Sequence, residues 1–195
     1  MIDNLTLKAI RERRSTLDFT SDPVTDEQIE AILEAGRWAP SYLNSQPWDF
    51  VVVRDAQLRT GLAIILKRIT WAWGGFAGVP VMIVVSVDPT RDPDHFVEAG
   101  AVATQSICLA AQSLGLASSW AGIYGSSRAT TGNVEQDLKA VLSLPQTHRI
   151  MAVVPIGLAK VERESSRRPL AEIVHRDHFR SRPASDPEAG QPHGV

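Results

Sequence analysis

Two short stretches of this chain carry residue types that serve chemistry better than they serve a core. Arg13-Arg14-Ser15 sets two guanidinium groups beside a hydroxyl. Such a cluster suits a phosphate, because guanidinium–phosphate hydrogen bonds are charge-assisted and often bidentate. The same cations also suit the end of a helix over 5–14, with Leu7 and Ile10 turned inward, where they complement the helix dipole. The second stretch is Ala39-Pro40-Ser41-Tyr42-Leu43-Asn44-Ser45-Gln46-Pro47-Trp48. Its prolines bracket a stiff turn. Between them, Ser41, Asn44 and Gln46 offer donors and acceptors together, as the carbonyls and ring nitrogens of a heteroaromatic ligand require. The other use of these side chains is to satisfy the loop's own backbone.

Regular elements must hold these stretches in place. Thr25 and Gln28 form a capping box, and Ile29, Ile32, Leu33 and Gly36 recur at helical spacing, so a helix runs over 26–38 and stops before Pro40. Residues 50–53 read as a β-branched strand. A helix follows over 56–69, with Leu58, Leu62, Ile65 and Ile69 inward. The near-continuous apolar run 79–87, with Pro80 at its entrance, reads as a strand covered on both faces. Residues 98–114 form a long helix whose small residues permit close packing, within the core or across a dimer. A brief strand at 118–120, a helix at 134–142 and a last apolar strand at 149–157 complete the series. Strands alternating with helices argue for a central sheet covered by helices on its faces.

The bulk properties fit one substantial domain over 1–180 of the 195 residues, with no linker or internal repeat. After Gly157 the chain turns charged over 160–168, allows one turn at 170–174, and over 181–195 becomes a Pro, Gly and Ser-rich tail too poor in apolar residues to bury itself. A formal net charge of -2 gives no reason to expect nucleic acid. The single cysteine, Cys108, sits among apolar neighbours and reads as a structural thiol rather than a nucleophile. No apolar run approaches the roughly 20 residues of a membrane span and no signal-peptide pattern is present, which points to a cytoplasmic protein. His175, Asp177 and His178 lack a fourth ligand, so no metal is expected.

In order and spacing, R-R-S, a helix, P-S-x-x-N-x-Q-P-W and a strand resemble the nitroreductase family of flavin-dependent oxidoreductases. Leu114-Gly115-Leu116 followed by Trp120-Ala121-Gly122 resembles that family's flavin-facing strand end. Val153-Val154-Pro155-Ile156-Gly157 resembles its last core strand, and Arg167-Arg168-Pro169-Leu170 with Ile173-Val174-His175 its phosphate-contacting C-terminal segment. The likeness covers roughly residues 10–179. It implies a three-layer α+β fold, a central mixed β-sheet flanked by helices, with the C-terminal segment exchanged between the subunits of a homodimer. It also implies FMN as cofactor, NADH or NADPH as reductant, and a small-molecule acceptor such as a nitroaromatic or quinone, served in turn by ping-pong kinetics.

Site residues follow from the same resemblance. Arg13 and Arg167 match the phosphate contacts, with Ser15 adding a hydroxyl and Arg14 beside them. Pro40, Ser41 and Asn44 face the ring and ribityl chain from the other subunit. The catalytic contact is a backbone N–H reaching flavin N5 at about Ala121-Gly122, next to Trp120. Leu17 departs from the pattern, because family members usually carry Arg or Lys there, against the N1 and O2 edge, and Arg14 and Arg128 are candidates to replace that cation. Trp71, Trp73 and Phe76, around Gly74-Gly75, read either as filling beneath a loop or as an aromatic wall of the substrate pocket. Alternatives in the same fold are a specialised dehalogenase or dehydrogenase; a different class is a flavin-binding protein without turnover.

Overall fold

Two strands whose sequences are almost unbroken apolar runs become the centre of the sheet. β2 (Val81–Val87) is buried along its whole length, and β5 (Arg149–Gly157) is buried beyond Arg149. β1 (Trp48–Val53) lies outside β2, while the two-residue strands β3 (Ala117–Ser118) and β4 (Ala121–Gly122) both pair with β5. All these pairings are antiparallel, and an isolated parallel bridge between Ser15 and Ser118 gives the sheet its mixed character. The computed structural model describes residues 4–126, 132–161 and 164–179, and of Trp71 the backbone alone.

Alternation along β2 sorts its side chains onto two faces. Val81, Ile83, Val85 and Val87 join a core closed by Ile29 and Ile32 of α2 (Asp26–Arg37) and by Ala103 and Ile107 of α4 (Phe96–Ser113). Met82 and Val84 join a second core with Leu62 and Leu66 of α3 (Ala56–Leu66) and Leu138 of α5 (Val134–Leu142). The result is three layers, helices on either side of one sheet. Opposite Val85 and Ser86 the register slips, leaving Met151 as an extra residue in β5. That residue turns into the face of α4, where only Gly100 leaves room: a Cβ there would overlap Met151 Cγ and stand 2.9 Å from Val87 Cγ1.

The expected capping box of α2 is present in both directions, Gln28 N donating to Thr25 Oγ1 at 3.1 Å and Thr25 N to Gln28 Oε1 at 3.0 Å. α3 ends at Leu66, short of 69, because the chain tightens there into bonds from Arg68 N to Ile65 O and Ile69 N to Leu66 O. A 3-10 segment (Trp71–Gly78) then leads to β2. Leu58, expected inward, is exposed in the first turn of α3. The inward reading of α1 (Leu5–Glu12) is also overturned. The helix packs on α4 but buries none of its residues, and Leu7 and Ile10 are 37% and 49% exposed.

The chain divides into two compact units, 1–164 and 165–195. Within the second, a 3-10 turn (Leu170–Glu172) precedes a ring contact between His175 and Phe179, with centroids 4.3 Å apart. Leu170, Ile173, Val174 and Phe179 are all exposed there.

Candidate active site

The site begins where α4 stops. Gly115 adopts φ 74°, and the bond from Leu116 N back to Ala111 O at 2.9 Å closes the helix end in the manner of a Schellman turn. Leu116 is buried, and the chain enters β3 directly. Thr16 N donates to Ser118 O at 3.1 Å, completing the bridge that ties the Arg13-Arg14-Ser15 stretch to the sheet. Beyond it, Thr20 N donates to Leu158 O at 2.8 Å and Lys160 N to Asp18 O at 3.0 Å, so the segment after Ser15 also runs along the exit of β5. Two motifs a hundred residues apart in sequence are thereby joined at one sheet edge.

Arg13 caps α1 with its backbone, while its half-buried side chain makes no hydrogen bond or ion pair among the described residues. Burial pushes the Cys108 thiol up, opposed by Ser118 and by the Arg13 charge. This agrees with a structural rather than a nucleophilic cysteine. Arg14 Nε is buried without a hydrogen-bond partner among the described residues, whereas the buried Ser118 Oγ faces the Cys108 thiol. Orphaned buried donors of this kind are rare and call for an unseen partner. Arg14 spends its terminal nitrogen on its own helix end, donating to Arg11 O at 2.5 Å and Arg13 O at 2.9 Å.

At β4, Ala121 is buried opposite Val153 and Gly122 pairs with Ala152. The space a side chain would take at Gly122 is open except for the indole of Trp120, whose Nε1 would stand 3.6 Å from a Cβ. Half-exposed Trp120 thus flanks a bare stretch of backbone, the arrangement that lets a planar ring approach the main chain closely.

The proline-bracketed loop is held by its own polar residues and by one buried carboxylate. Ser41 Oγ accepts from Gln46 N at 2.9 Å. Ser45 Oγ donates to Asp92 Oδ2 at 3.0 Å, and Asp92 Oδ1 also accepts from His95 N at 2.9 Å at the start of α4. Asp92 is only 3% exposed. Leu43, Asn44 and Gln46 all hold positive φ, at 47°, 58° and 45°. With backbone demands met internally, Tyr42, Leu43 and Asn44 are exposed, and Tyr42 leans on His95 with centroids 4.7 Å apart. Trp38, at the loop's entry, is exposed but pinned by Nε1 donating to Glu34 Oε1 at 2.6 Å; hydrogen bonds from Arg37 and Trp38 hold the Glu34 carboxyl at about 2.

The aromatic cluster resolves mostly into packing. Phe76 is fully buried, stacked on Trp73 at 6.4 Å and edge-on to Phe19 at 6.2 Å, so of its two readings, filling or pocket wall, the filling one describes it. Trp73 is partly buried against the same core, and the Trp71 side chain lies outside what is described. Gly74 and Gly75 instead line a cavity of about 530 Å³ together with Leu17, Ile64 and Lys67. Arg14 lines a different cavity, of about 820 Å³, with Glu12, Gln112 and Leu158. Arg128 falls outside the described residues, as does the 181–195 tail. In the second unit, Arg167 is exposed and donates to Ser166 O at 2.7 Å and to Ser165 Oγ. Sequence reasoning overlooked Ser118, Asp92 and Lys67, none of which belongs to a local motif. Among the described residues no three His, Cys, Asp or Glu converge as metal ligands, and no helix is long and apolar enough to cross a membrane.

A profile of the Nitroreductase family matches residues 10–73 and 67–158. A protein of Archaeoglobus fulgidus with the provisional name NADH dehydrogenase/NAD(P)H nitroreductase is 34% identical over 182 residues, spanning 89% of this chain and 98% of that protein. A provisionally named nitroreductase of Desulfovibrio desulfuricans, solved in complex with FMN, is 32% identical, with a TM-score of 0.73 over 92% of this chain and 100% of its own. The NADPH:FMN oxidoreductase of Vibrio harveyi, solved with NAD+, is 25% identical, with a TM-score of 0.75 over 92% of this chain and 80% of its own.

Proposed function

The chain belongs to the nitroreductase family, and from that premise we propose an FMN-dependent homodimeric oxidoreductase that draws hydride from NADH or NADPH and reduces flat acceptors such as nitroaromatics and quinones. The observation that supports this reading most directly is the Ser15–Ser118 bridge, which sets the Arg13 cation beside the strand end leading to Gly122. The residues present fit the cofactor. A half-buried guanidinium, that of Arg13, which makes no hydrogen bond or ion pair among the described residues, stands at the phosphate end, and open backbone beside an indole stands at the ring end.

Arg13 and Arg167 neutralise the phosphate dianion, with Ser15 donating a hydroxyl hydrogen bond and Arg14 stiffening the helix end that presents them. When bound, FMN would supply the redox chemistry, hydride transfer through its N5. Backbone N–H at Ala121-Gly122 donates toward that atom, which leaves side-chain identity free there, and Trp120 borders the ring. Leu17 borders the N1 and O2 edge. Pro40, Ser41 and Asn44 of the partner subunit complete the ring and ribityl contacts, which is the use we assign to a loop whose tip is exposed and whose backbone is self-satisfied. A dimer with an exchanged C-terminal segment also covers the apolar side chains left exposed on each unit, Leu5, Tyr42 and Leu43 on one, Leu170, Val174 and Phe179 on the other. On this reading the enzyme is cytoplasmic.

One pocket serves reductant and acceptor in turn, so double-reciprocal initial-rate plots at several acceptor concentrations should run parallel. The deciding experiment is an anaerobic spectral titration of the yellow protein with NADH and with NADPH. Bleaching of the flavin band and its return on adding a nitroaromatic support the enzyme. A yellow protein that neither nicotinamide bleaches is a flavin binder without turnover, and a colourless one that takes up no FMN ends the reading.

A further inference from the structure

We propose that Lys67, at the end of α3, supplies the positive charge at the flavin N1 and O2 edge that Leu17 does not. The inference rests on the reading that places that edge at Leu17. Both residues line the cavity of about 530 Å³ between α3 and the 3-10 segment. The two glycines of that segment connect them. A Cβ on Gly75 would stand 3.3 Å from Leu17 O, and one on Gly74 would stand 3.2 Å from Lys67 Cδ and 3.8 Å from its Cε. Gly75 therefore lets the segment lie against Leu17, while Gly74 gives the lysine stem a surface to run along. This accounts for a Gly-Gly pair that fits no phosphate loop.

Among the described residues the Lys67 ammonium has no hydrogen-bond or ion-pair partner, so its three donors are available to a ligand. The other candidate that can be located is committed elsewhere: Arg14 caps its own helix and lines the other cavity. The rest of the lining is small or apolar, Thr60, Ala63, Ile64, Ala72 and Ala77, which suits the edge of a flat ring. Asp18 is the opposing charge in the same lining, so the balance of the two sets the field that ring atoms meet there.

Electron uptake by the ring places negative charge at this edge, and a preorganised cation favours the charged form. The test uses the intact FMN-loaded protein and four forms: parent, Lys67→Met, Lys67→Arg, and Lys67→Met combined with Leu17→Lys. Midpoint potentials are read by anaerobic redox titration, and affinity for oxidised FMN by fluorescence titration of the apoprotein. Lys67→Met should weaken binding of reduced relative to oxidised FMN about tenfold, a fall of about 30 mV for a two-electron couple. Lys67→Arg should keep the parent potential, and Leu17→Lys should restore it in the Met background. An unchanged midpoint in Lys67→Met with FMN stoichiometrically bound overturns the assignment and leaves the proposed function standing. A lowered midpoint that Leu17→Lys does not restore also overturns it, because the charge then acts away from Leu17. A parent that binds no FMN removes both.

Discussion

Replacing Asp92 by alanine removes two hydrogen bonds at once, from Ser45 Oγ at 3.0 Å and from His95 N at 2.9 Å. Bonds to a charged group contribute about 1.5–3 kcal/mol each, so the lower end alone sets a loss on the order of 3 kcal/mol. Part of this returns. Leu43, Asn44 and Gln46 sit at φ 47°, 58° and 45°, and non-glycine residues held in that region cost on the order of 1 kcal/mol or more each, so relaxation of one of the three on release returns about 1 kcal/mol. The net destabilisation of Asp92→Ala is therefore about 2 kcal/mol. Ser45→Ala cuts only the shared bond, a loss of about 1.5 kcal/mol. Urea unfolding of both single variants and the double variant closes a cycle. Because either change already breaks the Ser45–Asp92 bond, the double variant should match Asp92→Ala, with a coupling of at least about 1 kcal/mol. Single effects that simply add, within about 0.5 kcal/mol, would refute the reasoning. The tether carries a functional corollary: Ser45→Ala should weaken FMN binding through the loop's orientation.

Other expectations follow from the same geometry. Arg13→Ala should weaken FMN retention by tenfold or more, since a charge-assisted bond is worth about 1.5–3 kcal/mol; an unchanged dissociation constant at matched salt in a fluorescence titration removes Arg13 from the phosphate site. Glu135 tests the polar support of the sheet. Burial pushes its carboxyl up, but hydrogen bonds from Arg149 and Ile150 N and the charges of Arg149 and Lys139 outweigh this and hold it below its ordinary value of 4.5. A depressed folded value means that the stabilisation is complete above the unfolded value and is lost as pH falls through the folded one. Urea midpoints of the parent should accordingly drop below about pH 4.5 more steeply than those of Glu135→Gln, and identical acid limbs would contradict the assignment. Gly100→Ala forces a methyl against Met151 and Val87 and should cost about 1–3 kcal/mol by overpacking, and less when measured by urea unfolding against a Met151→Ala parent.

The fold was legible wherever the pattern was local and repeated. The capping box of α2, the bounds of α5 at Val134–Leu142 and those of β5 at Arg149–Gly157 are where the spacing predicts them. A strand buried on both faces has nothing but apolar residues to show, and β2 announces itself that way. α1 was misread because an apolar face says that something covers it, not what. Leu7 and Ile10 satisfy the helical period and yet meet no core of their own chain. Phe76 was ambiguous for a related reason: an aromatic residue beside glycines has the same composition whether it lines a pocket or fills a core, and only its packing between Phe19 and Trp73 decides.

The site divides along the same line. Arg13, Ser15, Ser41, Asn44 and Gly122 sit in compact motifs whose order and spacing carry the family resemblance. Asp92, Ser118 and Lys67 do not, because each acts across space on a motif it does not belong to. Asp92 lies in an acidic, loop-like stretch with nothing in its neighbours to mark one carboxylate as buried. Ser118 looks like any strand serine until Ser15 pairs with it. Leu17 shows the limit most clearly. Read along the chain, an apolar residue at that position subtracts a charge from the flavin edge. Read in the fold, the same position opens onto a glycine-floored cavity with an unpaired lysine. What a ring senses is the field at its edge, which depends on distance and dielectric and not on the position in sequence of the residue that supplies it. A substitution at Leu17 is therefore uninformative by itself, and its electronic meaning emerges only when it is measured with and without Lys67.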